Sequence, residues 1–93
     1  MMGLIFKWDS AKAKNNLKNH HVSFEEASTV FGDPHSTTIP DPEHSLDEER
    51  FVIIGLSYRL RTLIVVHTEK ANVIRIITAR EATRHERKIY EEN

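Results

Sequence analysis

Four arginines, a histidine, a glutamate and a tyrosine carry most of the chemistry this chain offers. Arg61 opens an apolar run, Arg75 lies inside the next one, and Arg80 and Arg84 follow in a segment that reads as helical. His20, Glu86 and Tyr90 are candidates for proton transfer or positioning, and Lys12 shares a helix stripe with His20. Arginine presents a planar fork that matches phosphate oxygens. Metal-free RNA cleavage needs only such parts: a base for the 2′-hydroxyl, cations for the crowded phosphorane, and an acid for the leaving 5′-oxygen. The same composition also fits a solvated basic surface.

Other chemistries are excluded or unsupported. The 93 residues contain no cysteine, so thiol nucleophiles, disulfides and thiolate metal sites are absent. Three glycines do not make a phosphate loop, and no serine or threonine sits in a nucleophile elbow. His20 and His21 are adjacent and point apart on a helix end, and the other histidines are scattered, so no metal site is expected. The net charge of −1 hides an asymmetry. Residues 1–49 carry four lysines and nine carboxylates; residues 50–93 carry nine Lys/Arg and five carboxylates. The basic half points to an anionic partner on one face, although charge alone also fits a solvated surface.

These residues need a scaffold. The length fits one domain over residues 1–93 with a single core. Leu4 to Trp8 reads as a first strand, too short and too charged at Lys7 for a signal peptide or membrane span. A soluble, cytoplasmic protein is expected. Asp9 or Ser10 caps a helix to about His20, along which Lys12, Asn16 and His20 form one polar stripe. Ser23-x-x-Glu26 is a capping box that opens a short helix to about Phe31. A polar loop over 33–48 holds an extended piece near Thr37–Ile39. Three apolar strands follow, Arg50–Tyr58, Thr62–Thr68 and Val73–Thr78, and their short connections predict an antiparallel meander. Strands this apolar require cover on both faces, helices on one and partner or substrate on the other.

Thr78-x-x-Glu81 is a second capping box and predicts a closing helix from Ala79 to about Glu91. On a helical wheel, Glu86 then falls among Ala79, Ala82, Thr83 and Tyr90. A carboxylate there needs a partner, and Arg75 is the predicted one. That pair reads equally as a structural buttress or as part of a site.

Sequence pieces in fixed order resemble the BrnT toxins of type II toxin–antitoxin pairs. They are Phe6-x-Trp8-Asp9, Lys12-Ala13-x-x-Asn16, His20, Val22 to Ala27, Val30-Phe31-x-Asp33-Pro34, His44-Ser45, Glu48-x-Arg50, Gly55-x-Ser57, Arg75 to Arg80 with Ala82, Glu86-Arg87 and Tyr90-Glu91. The resemblance implies an α+β, RelE-like fold: a small antiparallel β-sheet packed by two N-terminal helices and one C-terminal helix. It implies a ribonuclease that arrests translation without cofactor or metal. It also implies a BrnA-type ribbon-helix-helix antitoxin, a heterotetramer with it, and operator DNA bound only through that antitoxin. By analogy with RelE-like toxins, Arg61, Arg75, Arg80 and Tyr90 become the expected site, joined by Glu86 and His20 in catalysis and by Lys12 and Arg84 on RNA. Three departures stand out, one of them Lys70 where an arginine is usual. Asn19-His20-His21 replaces the usual Lys-His-Gly, and Leu60-Arg61 replaces Gly-Arg. They also admit a catalytically degenerate toxin kept as co-repressor with its antitoxin.

Overall fold

The chain is organised by the strand pairing of its C-terminal half. In the computed structural model, which describes residues 3–41 and 48–93, β1 spans Ile5–Lys7 and α1 Ser10–His20. Helix α2 covers Phe24–Ser28 and runs into a 3-10 turn at Thr29–Gly32. Strands β2 (Thr37–Pro40), β3 (Phe51–Leu56), β4 (Thr62–Lys70) and β5 (Val73–Glu81) precede α3 (Arg84–Glu92). The His44-Ser45 piece and part of the 33–48 loop lie outside the described residues.

The sheet order is β1-β5-β4-β3-β2. Strands β2 to β5 pair antiparallel as the short loops require. The sheet as a whole is mixed, because β1 pairs parallel with β5, Ile5 opposite Val73. This corrects the antiparallel expectation. β1 leads away into helices before the chain returns, and such a crossover permits parallel pairing.

One face of the sheet carries α1, α2 and the 3-10 turn. Val22, Phe24, Ala27 and Val30 from these elements bury against Ile53, Leu63, Val65, Ile74, Ile76 and Ala79. Trp8 meets Phe24 edge-on at 6.0 Å, and Phe6 meets Phe31 at 5.3 Å. Burying one such large side chain stabilises the fold by about 1.5–3 kcal/mol. Gly55 lets β3 lie close beneath the 3-10 turn, since a Cβ there would stand 3.1 Å from Ser36 Cβ and 3.2 Å from Val30.

Asn16 leaves the polar stripe it was predicted to share. Its side chain is buried and grips the outer edge of β5: Nδ2 donates to Ala79 O (2.8 Å) and Val22 O (2.9 Å), and Oδ1 accepts from Ala79 N (3.0 Å). A side-chain amide thus takes the place of the missing neighbouring strand. Lys12 and His20 remain exposed.

Helix α1 is capped by Asp9, whose carboxylate accepts from Lys12 N, and ends on His21 with φ 59°. Leu60 in the β3–β4 turn has φ 63°. Both occupy the left-handed region that favours glycine, at the two positions where glycine was noted as missing. A side chain there costs about 1–2 kcal/mol. Glycine is also more flexible when unfolded, so His21→Gly and Leu60→Gly should each gain about 0.5–1 kcal/mol net. For a chain this size that raises Tm by roughly 3–6 °C. A melting temperature unchanged in both variants would show that neighbouring contacts already relieve the strain.

Candidate active site

The sheet face opposite α1 and α2 is a groove of about 480 Å³. Its floor is aliphatic: Ile39 of β2, Val52 and Ile54 of β3, Ile64 and Val66 of β4. Thr78 and Arg80 of β5 supply polar groups, and Glu86 and Ile89 of α3 close one side. Alternating side chains on paired strands produce this face directly.

Strand β5 decides the site, and it runs further than predicted. Thr78 to Glu81 continue the ladder, with Thr78 opposite Val66 and Glu81 opposite Leu63. The capping box that starts the helix is Thr83-x-x-Glu86: Thr83 Oγ1 accepts from Glu86 N (3.1 Å) and Glu86 Oε1 accepts from Thr83 N (2.8 Å). The predicted start at Thr78 is therefore five residues early, and Arg80 belongs to a strand. The predicted Arg75–Glu86 pair does not form. Arg75 is exposed, opposite Lys7 of β1. Glu86 instead takes a two-pronged contact from Arg80, Nη1–Oε1 at 2.8 Å and Nη2–Oε2 at 3.0 Å.

The pair polarises both partners. The Arg80 hydrogen bonds, against opposing burial and with help from Thr83, hold the Glu86 carboxyl at about 2. Glu86 in turn raises Arg80, burial again opposing. Glu86 is thus a fixed anion and a poor proton acceptor in the free protein. Its folded pKa lies below its ordinary 4.5, so its contribution to stability is full above about 4.5 and disappears as pH falls through about 2. Acid titration of wild type should lose stability across that window faster than Glu86→Gln does. Parallel curves in a pH-dependent urea melt would contradict this.

A second cleft, about 280 Å³, lies between α1 and β5. Lys12, Asn15, Asn19 and His20 line it from α1, and Ile77 and Thr78 from β5. The β4–β5 register shifts between Val66 and His67, leaving Ile77 as an extra residue. Bulges of this kind re-aim side chains. Thr78 consequently borders both clefts, with Arg80 and Glu86 on one side and Lys12 and His20 on the other.

The remaining predicted residues lie elsewhere. Arg61 is half-buried behind the sheet in a carboxylate cage. Its Nε donates to Glu26 Oε2 (2.9 Å), its Nη1 to Glu81 Oε1 (2.8 Å), and its Nη2 to His21 O (3.0 Å) and Glu26 Oε1. These bonds raise its pKa further. Burial acts to raise the Glu26 carboxyl, but hydrogen bonds from Arg61 and Ser57 outweigh it and keep the group ionised. Tyr90 donates to Asp33, which follows the 3-10 turn and also accepts from Leu56 N at the end of β3, and burial together with that carboxylate pushes the Tyr90 hydroxyl up to about 12. Neither Arg61 nor Tyr90 lines either cleft beside Thr78. Arg84 is the exposed first residue of α3.

Sequence reasoning missed three residues. Thr78 was read as a helix cap. Glu26 was read as half of a capping box. The Ser23 half exists, accepting from Glu26 N at 3.0 Å, while the carboxylate turns inward to Arg61. Nothing local separates buried Glu26 from its exposed neighbour Glu25. Asp33, read only as the start of the polar loop and as part of a family piece, accepts from Leu56 N, His35 N and Tyr90.

The molecule is thus a small α+β protein with two clefts that share one threonine, an arginine bordering one and a lysine the other. Among the described residues no His, Asp or Glu group is arranged to hold a metal ion, and no helix is long and apolar enough to cross a membrane. The chain belongs to the BrnT family, described as the ribonuclease toxin of a type II toxin–antitoxin system, whose family model matches residues 8–86. No curated protein matches it. Its fold is similar to the crystal structure of the Brucella abortus ribonuclease toxin BrnT, with TM-score 0.64 and 21% identity over 90% of this chain and 100% of that one.

Proposed function

We propose that the chain acts as a single RelE-like toxin domain that cuts RNA without a metal and so arrests translation. Its family is that of ribonuclease toxins, and a type II system implies an antitoxin partner. The observation that carries the mechanism is Thr78, shared by the two clefts. The scissile phosphate sits at Thr78, with Arg80 and Lys12 on opposite sides. His20 takes the proton of the 2′-hydroxyl, and O2′ attacks phosphorus. Arg80 neutralises the charge that grows on the phosphorane oxygens. The P–O5′ bond breaks, and the leaving oxygen takes a proton from the Lys12 ammonium. The products are a 2′,3′-cyclic phosphate and a 5′-hydroxyl. Glu86 holds the Arg80 fork in place until phosphate competes for it. Arg75 and Arg84, both exposed, contact the flanking phosphates. Arg61 and Tyr90 serve the scaffold.

The partner in this reading is a BrnA-type ribbon-helix-helix antitoxin, assembled with the toxin into a heterotetramer that meets operator DNA only through the antitoxin. The cell compartment is the cytoplasm, where its RNA is. Induction of the chain alone should stop growth and leave RNA fragments with 5′-hydroxyl ends, in extracts with or without chelator. Normal growth at good expression would refute the toxin reading, and cleavage lost with chelator would refute the metal-free mechanism.

A further inference from the structure

The β3–β4 turn presents large side chains to solvent on an unusually well-tethered backbone. Tyr58 is 71% exposed and Leu60 76%. Yet Tyr58 N donates to Thr29 Oγ1 (3.0 Å), Arg59 N to Ser57 Oγ (3.2 Å), Ser57 N to Arg61 O (2.8 Å) and Leu60 N to Ser57 O (2.9 Å). Arg59 also lies 3.7 Å from buried Glu26. Beside this turn is a cleft of about 260 Å³ lined by Thr29, Gly32, Asp33, Leu56, Ser57 and Tyr58. Neither cleft at Thr78 includes it, and the mechanism above leaves it unused.

Its hydrogen-bonding character is one-sided. The Thr29 hydroxyl donates to Glu26 O and the Ser57 hydroxyl to Glu26 Oε2. The amides of Asp33, Leu56, Ser57 and Tyr58 are all committed, to Val30 O, Asp33 Oδ2, Arg61 O and Thr29 Oγ1. Acceptors remain. Asp33 Oδ1 takes one bond, from His35 N (2.9 Å), so a lone pair is open, and Thr29 Oγ1 keeps another. Burial works against the Asp33 charge, but bonds from Tyr90, Leu56 and His35 hold its pKa below the usual carboxylate range. The wall is an aromatic ring, the Thr29 and Ser57 hydroxyls and four of the lining amides are committed as donors, and the open positions beside the ring on Asp33 and Thr29 are acceptors.

We propose that this cleft is a nucleobase slot that prefers guanine: one unpaired base stacks on Tyr58 while its N–H edge is read by Asp33 Oδ1 and Thr29 Oγ1. Single-stranded RNA is recognised by such stacking combined with hydrogen bonds to a base edge. Guanine alone presents two neighbouring donors, N1–H and N2–H, on one edge, which suits the two open acceptors, Asp33 Oδ1 and Thr29 Oγ1. Asp33 is anionic and faces the base, while phosphates pass on the side of Arg59 and the catalytic cations. The identity of the ligand rests on the ribonuclease reading.

The slot is testable apart from cleavage. In the full chain, Tyr58→Trp places an indole at the stacking position. Single-stranded 2′-deoxyadenosine hexamers, with or without one central deoxyguanosine, lack the 2′-hydroxyl and stay uncut. Binding should quench the new indole, and the guanine-containing hexamer should bind about ten-fold more tightly. Gly32→Leu should abolish both effects without unfolding, because Gly32 has no positive φ and a Cβ there meets nothing within 4 Å. On RNA, Tyr58→Ala should raise KM about ten-fold with kcat unchanged, and Tyr58→Phe should restore it. Equal binding of the two hexamers, or absence of quenching, overturns the guanine slot. An unchanged KM in Tyr58→Ala together with loss of neutralisation by the antitoxin would mark the turn as a protein contact and overturn it as well. Selective quenching by a protein that cuts no RNA supports the slot and refutes the ribonuclease mechanism instead; cleavage with no effect of Tyr58→Ala or Gly32→Leu refutes the slot alone.

Discussion

Replacing Arg80 with alanine should lower kcat for RNA cleavage by about 10²–10³-fold and remove toxicity, while the protein stays folded. The magnitude is that of deleting one preorganised donor to a developing oxyanion. The fold survives because the Arg80 side chain is 42% exposed and the sheet ladder uses only its backbone. Glu86 loses one partner but keeps the Thr83 amide, so α3 retains its cap. Arg80→Lys restores the charge but not the fork, and recovers part of the rate. Single-turnover cleavage and circular dichroism on the same samples check this. An unfolded alanine variant would assign Arg80 to the scaffold, and a folded, fully active one would move the chemistry away from Thr78.

Replacing Arg61 with alanine should give the opposite signature: a fold destabilised by about 3–5 kcal/mol, with activity falling only with the folded fraction. Glu26 is 2% exposed, so removing Arg61 leaves a buried carboxylate; Arg59, a second cation beside it, stands 3.7 Å away and is itself 57% exposed. Ser57 continues to donate to Glu26 but does not neutralise it. Against the 5–15 kcal/mol that separates a typical folded domain from its unfolded chain, this loss is large. A Glu26→Leu, Arg61→Met double variant recovers most of it, because an apolar pair of similar volume replaces a buried ion pair at little net cost. Urea unfolding of both variants checks the claim. A stable but inactive Arg61→Ala would return Arg61 to the catalytic role that its sequence position suggests.

The two variants thus divide one set of arginines into chemistry and architecture, a division that local sequence does not contain. Arg61, Arg75 and Arg80 look alike in sequence, each in or beside an apolar strand. Their fates follow from strand register. Arg80 stands opposite Ile64 with its side chain on the groove face, next to the helix that carries Glu86. Arg61 lies just before β4, where Glu26 and Glu81 converge on it from other elements. Arg75 pairs beside Lys7 at the parallel edge. Thr78-x-x-Glu81 and Thr83-x-x-Glu86 are the same local signal. The first is overridden because β4 continues through Leu63 to Val66 and its backbone groups pair with Thr78 to Glu81.

By itself, the sequence determined what short-range physics controls. Asp9 and Ser23 cap their helices, the meander of three apolar strands is present, the piece near Thr37–Ile39 is extended, and positions 21 and 60 require the left-handed backbone that glycine would supply. These features depend on side chains reaching three or four residues along, on alternation, and on φ at single residues. Family membership was legible too, through pieces spread over most of the chain. The tertiary structure decided the rest: the parallel β1, the inward turn of Asn16 onto Ala79, the Glu26 cage around Arg61, the Arg80–Glu86 pair, and the bulge that sets Thr78 between two clefts. The long-range contacts among these join residues 35 to 68 positions apart, and the bulge and the Arg80–Glu86 pair depend on a strand that ends where its neighbour ends. Such contacts have no signature within a window of sequence, because their strength comes from burial and from register that the whole sheet sets at once.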